Sequence, residues 1–495
     1  MKILKYKYIG VMSLLFMGLS SCELARDLDD FEPNYTLPAD EAIVDEASAE
    51  LALAGVYSGF RQRSSGSGNP EIYLIPSLMS GVLTNNALFN TGAEALGYVS
   101  NNPIPIGANA GLGAYSRMYD IVNRCNWLIE KISPLPEDVF STQGRKAEIL
   151  AETKAVRATA NFYLLRLFGQ FYDINSKYGI SLRSEPARSD EALPRNTVAE
   201  VYDAIIADLD EAITGAPDLR AKYYTNKTYA RGLKAKVMLY KGDYPAAVAL
   251  AGEIIEGSGP DFGLAPDYTA IFTDHSTPAL FDSPEILFAS KGEPQASLGI
   301  GNFTGFWASV TPAYTAFGEQ SVTIGSQNII YDGTRISSTT FDTGDIYGFD
   351  TYKGNASENG DLYEMIYHLR MAEVYLIYAE AVARANNSVT TEALAALNVV
   401  RIRGGATTTG GDGFETYPSS ITLEQFLEAV RIEKYVELGV ETGEEWFDLV
   451  RYHFVDGFDV TTVKPSATDP DKYILPIDGT TIEAGGNVVE QNPGY

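Results

Sequence analysis

The stretch that most constrains the fold is residues 369–403, LRMAEVYLIYAEAVARANNSVTTEALAALNVVRIR. Leu369, Ala372, Leu376, Ala379 and Ala383 recur at helical spacing and form one apolar stripe. Met371, Tyr375, Tyr378 and Val382 form a second stripe beside it. A helix with two apolar stripes packs between neighbours rather than lying on a surface. Asn386, Asn387 and Ser388 break the pattern. It resumes from Thr391 to Arg403, with Ala393, Leu394, Leu397 and Val400 inward, and Gly404-Gly405 stops it. The result is a helical hairpin of tetratricopeptide-like length.

Similar patterns recur along the 495 residues, enough for one large or two ordinary domains. Helices are expected at 41–62, 114–133, 146–168 and 197–214. In the third, Ala155, Ala158, Phe162 and Leu165 share one face and Val156, Ala160, Tyr163 and Leu167 another. Lys154, Arg157 and Asn161 make its polar stripe. Residues 227–257 read as a second hairpin, turning at Lys241-Gly242-Asp243-Tyr244-Pro245, with alanines where two helices must approach closely. Residues 421–453 read as one further helix. Residues 71–113 read as irregular and rich in Asn and Gly. Residues 258–360 are rich in Gly, Thr, Ser, Asp and aromatics and lack a sustained helical period, although 286–289 (ILFA) suits a strand. A long aromatic-rich excursion inside a helical chain points to function rather than disorder. The fold class is therefore mostly α. Helical repeats span about 41–257 and 361–455, and an irregular insertion at about 258–360 makes the ligand face of a single body, 41–495.

The N-terminus carries its own instructions. Lys2, Lys5 and Lys7 precede the apolar run Ile9–Leu19, which is too short to span a bilayer as a mature helix. Leu19-Ser20-Ser21-Cys22 then resembles a bacterial lipobox, which predicts a signal peptide over 1–21 and a lipidated Cys22 anchoring the body to a membrane. Residues 22–40 read as an acidic, proline-containing tether. With Cys22 acylated, Cys125 stands alone, which excludes an intrachain disulfide; its helical context marks it as a small core residue. Sixty-five acidic against 37 basic residues give a formal charge of −28, which repels phosphate backbones and argues against nucleic acid as a partner.

Several motifs coincide in order. The lipobox is followed by MYDIVNRCNWLIEKI (118–132), AETKAVRATANFYLLRLFGQFY (151–172), LRMAEVYLIYAEA (369–381), LNVVRIR (397–403), RIEKYVELGVETGEEWFDLVRY (431–452) and the terminal QNPGY (491–495). Together they resemble the SusD/RagB family of surface lipoproteins of Bacteroidetes, from the signal peptide to the last residue. One departure is visible: the family's usual Glu-Gly-x-Arg-Trp is here Glu441-Thr442-Gly443-Glu444-Glu445-Trp446, without the arginine. The resemblance implies a superhelical scaffold of tetratricopeptide-like hairpins with loops packed on one side as the ligand surface. It implies an outer-membrane, cell-surface location and a SusC-like TonB-dependent transporter as partner. It also implies a non-catalytic role: capturing an oligosaccharide, or in some branches a peptide, and delivering it.

Other chemistries find little support. Glu373, Glu380 and Arg384 share one helical stripe, and paired acids suit a glycosidase. Their position between apolar stripes instead predicts packing pairs with an arginine such as Arg401 or Arg431, and the ladder Glu433, Glu437, Glu441 reads the same way. His275, His368 and His453 are far apart and give no zinc or triad spacing. No cofactor is expected. Asp342, Asp345 and Asp350 leave calcium as the one metal to consider, without a loop signature for it. Sugars need aromatic faces for their C–H surfaces and amides for their hydroxyls. Ligand candidates are therefore Tyr73, Asn85, Asn86, Phe89 and Tyr98 in one irregular stretch, and Trp307, Tyr314 and Tyr347 in the other, Trp307 foremost as the largest platform.

Overall fold

The computed structural model describes residues 42–60, 71–85, 97–189, 191–257, 259–272, 281–294, 308–342, 349–351, 353, 355–358, 361–408 and 410–495. Cys22, Asn86, Phe89, Trp307, Asp345 and Tyr347 lie outside these.

The first half is helical: α1 (Glu46–Ser58), α2 (Glu71–Ser80), the short strand β1 (Leu83–Asn85), then α3 (Leu112–Ile132), α4 (Arg145–Phe168), α5 (Val198–Gly215), α6 (Lys227–Lys241) and α7 (Tyr244–Gly257). Local sequence sets the starts. Thr197 caps α5 through Glu200 N–H at 3.2 Å while the Glu200 carboxylate takes the Thr197 N–H at 2.8 Å. Asn226 caps α6 by accepting from Tyr229 N–H at 2.8 Å. Gly242, at φ +85°, ends α6 and opens the turn into α7. Helix α2 lies where the sequence reads as irregular, because Pro76 sits inside it and hides the period.

Strands β2 (Ile286–Pro294), β3 (Ala308–Val310), β4 (Ser321–Ile324), β5 (Gln327–Ile330), β6 (Thr340–Asp342), β7 (Phe349–Thr351), β8 (Asn355–Glu358) and β9 (Asp361–Arg370) follow, with short helices α8 (Pro312–Gly318) and α9 (Arg335–Thr339) among them. β9 pairs with β2 and β8, β4 with β5, β6 with β7, and β3 reaches back to β1. The chain then returns to helix: α10 (Met371–Asn386), α11 (Thr391–Arg403), α12 (Leu423–Leu438), α13 (Glu444–Asp456) and α14 (Gly479–Ala484).

Two expectations are corrected here. Residues 361–370 are strand rather than helix, so Leu369 belongs to β9 and the helix begins at Met371. Residues 421–453 form two helices, because Gly439 to Gly443 turn the chain, with Val440 at φ +65° and Gly443 at φ +83°. The apolar period runs across this break and conceals it.

Helices pack in succession, α3 on α4, α4 on α5, α5 on α6 and α6 on α7; α7 then packs on α10, and α10 on α11 and α12. This is a mostly α, tetratricopeptide-like scaffold. The first stripe of α10 is buried as expected, with Ala372, Leu376, Ala379 and Ala383 in one apolar cluster. The second is corrected: Met371 is joined in the other cluster by Val374 and Ile377, Val382 belongs to the first cluster, and Tyr375 and Tyr378 are only half-buried. The β2–β9 pair lies on α6, where Gly232 lets it close in; a Cβ there would stand 2.6 Å from Leu369 Cδ2. Cys125 is fully buried in the core, and burial pushes its thiol well above the ordinary range. The terminal QNPGY clamps the surface: Asn492 donates to the carbonyls of Phe168 (2.9 Å) and Leu475 (2.7 Å), and Tyr495 to that of Ile474 (2.8 Å).

The helical acids are structural. Glu380 accepts from Arg384 Nε (2.7 Å), from Arg451 (2.6 and 2.8 Å) and from Lys434 (3.2 Å). Glu373 meets Lys236 at 2.7 Å. The partner of Glu380 is thus Arg451, not Arg401 or Arg431. Arg401 donates to the Tyr331 carbonyl (3.0 Å) and stands 3.6 Å from Glu433, while Arg431 holds Glu428. On the ladder, Glu437 gathers Arg335 (2.9 Å), Arg370 (3.1 Å) and Arg403, and Glu441 takes Arg370 (2.6 and 2.8 Å) and Lys353 (3.1 Å).

Candidate ligand-binding face

Residues 71–98 and 302–352, distant in sequence, meet at one place. β1 and β3 pair antiparallel, with Leu83 opposite Val310, Thr84 opposite Ser309 and Asn85 opposite Ala308. Thr311 tightens the join, its N–H donating to the Val82 carbonyl at 3.0 Å and its hydroxyl to the Gly81 carbonyl at 2.6 Å. β7 packs beside β3, so the β6–β7 hairpin joins the same face. Leu83, Ala308 and Val310 turn inward, and Thr84 and Ser309 lie on the opposite face, half-exposed; Asn85 shares the face of Leu83 and is half-exposed at the end of the strand. Asn85 and Ala308 stand opposite each other at one end of the ribbon. The ribbon thus joins the two sequence stretches nominated for ligand contact.

The flanks are fixed by buried polar anchors. The Tyr98 hydroxyl donates to the Ala108 carbonyl and accepts from Gly111 N–H at 3.0 Å. Asn101 donates to the Met79 carbonyl at 2.9 Å and accepts from Ser466 at 2.7 Å. Lys464 is tucked against Gly81, and burial lowers its ammonium to about 8.

Three aromatic candidates are corrected by burial. Tyr73 is 0% exposed inside α2, Tyr98 6% and Tyr314 3%. The Tyr314 ring meets Tyr435 edge-on at 5.5 Å, and its hydroxyl reaches the carbonyls of Tyr435 and Val436, both at 3.3 Å. These rings anchor the loops from below and present no face to a sugar. Asn85 is half-buried at the end of the ribbon. Ser309, opposite Thr84 on the ribbon, is not among the residues nominated from sequence, because a three-residue strand, Ala-Ser-Val, has no period to find. The side chains of Asp342 and Asp350 lie outside the described ones, as does Asp345. Among the described residues, no group of three or more His, Cys, Asp or Glu side chains could hold a metal ion, and no helix is long and apolar enough to cross a membrane.

A sequence model of the SusD family matches residues 327–495, and one described as starch-binding associating with outer membrane matches residues 52–239. A SusD-like protein of Bacteroides ovatus is 27% identical over 382 residues, 69% of this chain and 65% of that protein. The chain therefore spans slightly less than two thirds of that relative. SusD-like protein P2 of Formosa agariphila is 26% identical over 421 residues, 77% of this chain and 80% of its own. Among solved structures, a putative sugar binding protein from Bacteroides vulgatus superposes with a TM-score of 0.70 at 22% identity, covering 92% of this chain and 99% of that one. A laminarin binding SusD-like protein does so with a TM-score of 0.63 at 20% identity, covering 92% and 100%. These two share the fold. The two matching sequence models take in both halves of the helical scaffold, and the chain is a SusD-like protein.

Proposed function

We propose that this protein is a non-catalytic, cell-surface lipoprotein that captures an oligosaccharide and passes it to a SusC-like TonB-dependent transporter in the outer membrane. The convergence of β1, β3 and β7 carries the reading, because it sets half-exposed Thr84, Asn85 and Ser309 together on one short ribbon. Amide and hydroxyl groups suit the hydroxyls of a sugar, for which Trp307 is the ring nominated from sequence. The family match, with its starch-binding and outer-membrane description, and the laminarin-binding neighbour support the same ligand class. The helical acids that would serve a glycosidase are buried in ion pairs, which supports binding without hydrolysis. The lipobox at Cys22 supports the anchor.

A binding panel of oligosaccharides and oligopeptides tests the ligand class. Asn85→Ala combined with Trp307→Ala is expected to weaken oligosaccharide binding by at least about tenfold, the loss of a stacking platform and a hydrogen-bonding amide. Binding of peptides alone, or release of reducing sugar on incubation, overturns the proposal. Cys22→Ala is expected to shift the protein out of the membrane fraction of expressing cells; unchanged fractionation argues against the lipid anchor.

A further inference from the structure

A separate cleft of about 770 Å³ lies between the first half of α12, the end of α13 and the β4–β5 hairpin, and shares no lining residue with the β1–β3 ribbon. Its size falls in the ordinary range for small-molecule sites. Tyr331, Tyr452 and Phe458 supply rings; Tyr331 and Phe458 are half-buried, Tyr452 buried.

Two of its carboxylates are backed by arginines. Arg431 Nε holds Glu428 at 2.8 Å, and the same guanidinium lies 4.4 Å above the Phe458 ring. Arg384 grips Asp456 through both Nη atoms, at 2.9 and 2.7 Å. An arginine behind a carboxylate cancels its charge and fixes its rotation, while further oxygen lone pairs stay available as acceptors. Charge-compensated acceptors beside ring faces suit hydroxyls on an apolar ring better than a bare cation.

A second observation points the same way. Tyr417 lines the cleft and is 2% exposed, yet among the described residues its hydroxyl has no hydrogen-bond partner. A buried hydroxyl without a partner is costly, and a ligand hydroxyl that reached it through the cleft wall would satisfy it.

We propose that this cleft is a second saccharide-binding site, taking a short uncharged oligosaccharide between Tyr331 and Phe458 with Glu428, Asp456 and Tyr417 as its polar contacts. The proposal stands on the cleft's own chemistry and does not need the β1–β3 face to bind.

The test titrates short gluco-, galacto-, manno- and xylo-oligosaccharides, with trilysine as a cationic probe, against wild type, Tyr331→Ala, Tyr417→Phe and Asn85→Ala/Trp307→Ala. At least one oligosaccharide should lose about tenfold in affinity with Tyr331→Ala and about fivefold with Tyr417→Phe, and keep binding to the cleft in Asn85→Ala/Trp307→Ala. Tyr417→Phe should melt no lower than wild type, because it removes only an unpartnered buried hydroxyl, so lost affinity cannot be ascribed to misfolding. Unchanged affinity for every oligosaccharide in both cleft variants overturns the proposal. So does an effect confined to trilysine, or a wild type that binds no oligosaccharide. If only Asn85→Ala/Trp307→Ala loses binding, the cleft fails and the β1–β3 face stands. If only the cleft variants lose it, the reverse holds.

Discussion

Glu445 stands immediately before Trp446, where relatives by resemblance carry an arginine, and its surroundings show what the exchange does. It is 1% exposed and accepts hydrogen bonds from the Ser77 hydroxyl and from Val440 N–H, the latter at 3.2 Å. The charge of Lys353 pulls its carboxyl down, but only weakly beside the effect of burial. Burial pushes its carboxyl up to about 7. The folded value lies above the unfolded one, so protonated Glu445 contributes fully to stability below about pH 4.5, and that contribution is lost as pH rises through about 7. Gln keeps an acceptor for both donors and carries no charge. Glu445→Gln should therefore stabilise the protein at pH 8 by on the order of 1–3 kcal/mol and make little difference at pH 4.5. Urea unfolding midpoints at the two pH values check this, and equal shifts at both would remove titration as the cause. Nearby Glu444 has the opposite fate: despite burial, Lys236 and Arg166 hold it down to about 2. Sequence adjacency reveals neither outcome, because both depend on side chains more than two hundred residues away.

At the level of elements, what could be read from sequence follows where each element's information resides. The α6–α7 hairpin was legible because its alanines, its Gly242 turn and its helical period agree within thirty residues. The α12–α13 corner was not, since Val436, Leu438 and Val440 continue an apolar rhythm through a bend. Glycine makes that bend possible. Gly443 sits at φ +83°, and a Cβ on it would lie 2.6 Å from Pro76 of α2 and 2.9 Å from Phe447. Gly443→Ala meets both a left-handed backbone and a clash with a rigid ring, so it should destabilise by about 2–4 kcal/mol. A denaturation midpoint unchanged from wild type would show that α2 yields more easily than its packing suggests. The candidate face was legible only in part for a related reason. Asn85 could be nominated from its composition, but Ser309 joins it through a ribbon of three-residue strands whose register spans more than two hundred residues.

On the scale of the whole molecule, Glu437 ties the strand-rich insertion to the helical scaffold. Its carboxylate, fully buried on α12, accepts from Arg335 of α9, Arg370 at the end of β9 and Arg403 of α11. Its backbone carbonyl receives Lys353 at 2.7 Å and Tyr268 at 3.2 Å. Glu285, just before β2, closes the set through Arg370 and Arg403. Desolvation raises the Glu437 carboxyl, but the surrounding arginines more than offset it and hold the group down to about 2. The ionised form is thus the folded form: its contribution is present above about pH 4.5 and lost as pH falls toward about 2. Glu437→Gln would leave several buried cations short of a counter-charge, which costs about 3–5 kcal/mol where a buried pair is broken. The loss should fall unevenly, because the α3–α7 helices make none of these contacts while the segment from β2 to β9 relies on them. In Glu437→Gln, hydrogen exchange is expected to accelerate first in residues 281–294 and 361–370, with α4 and α5 still protected. Uniform acceleration across the chain would mean that insertion and scaffold unfold as one unit, and that the ion network adds stability without dividing the molecule.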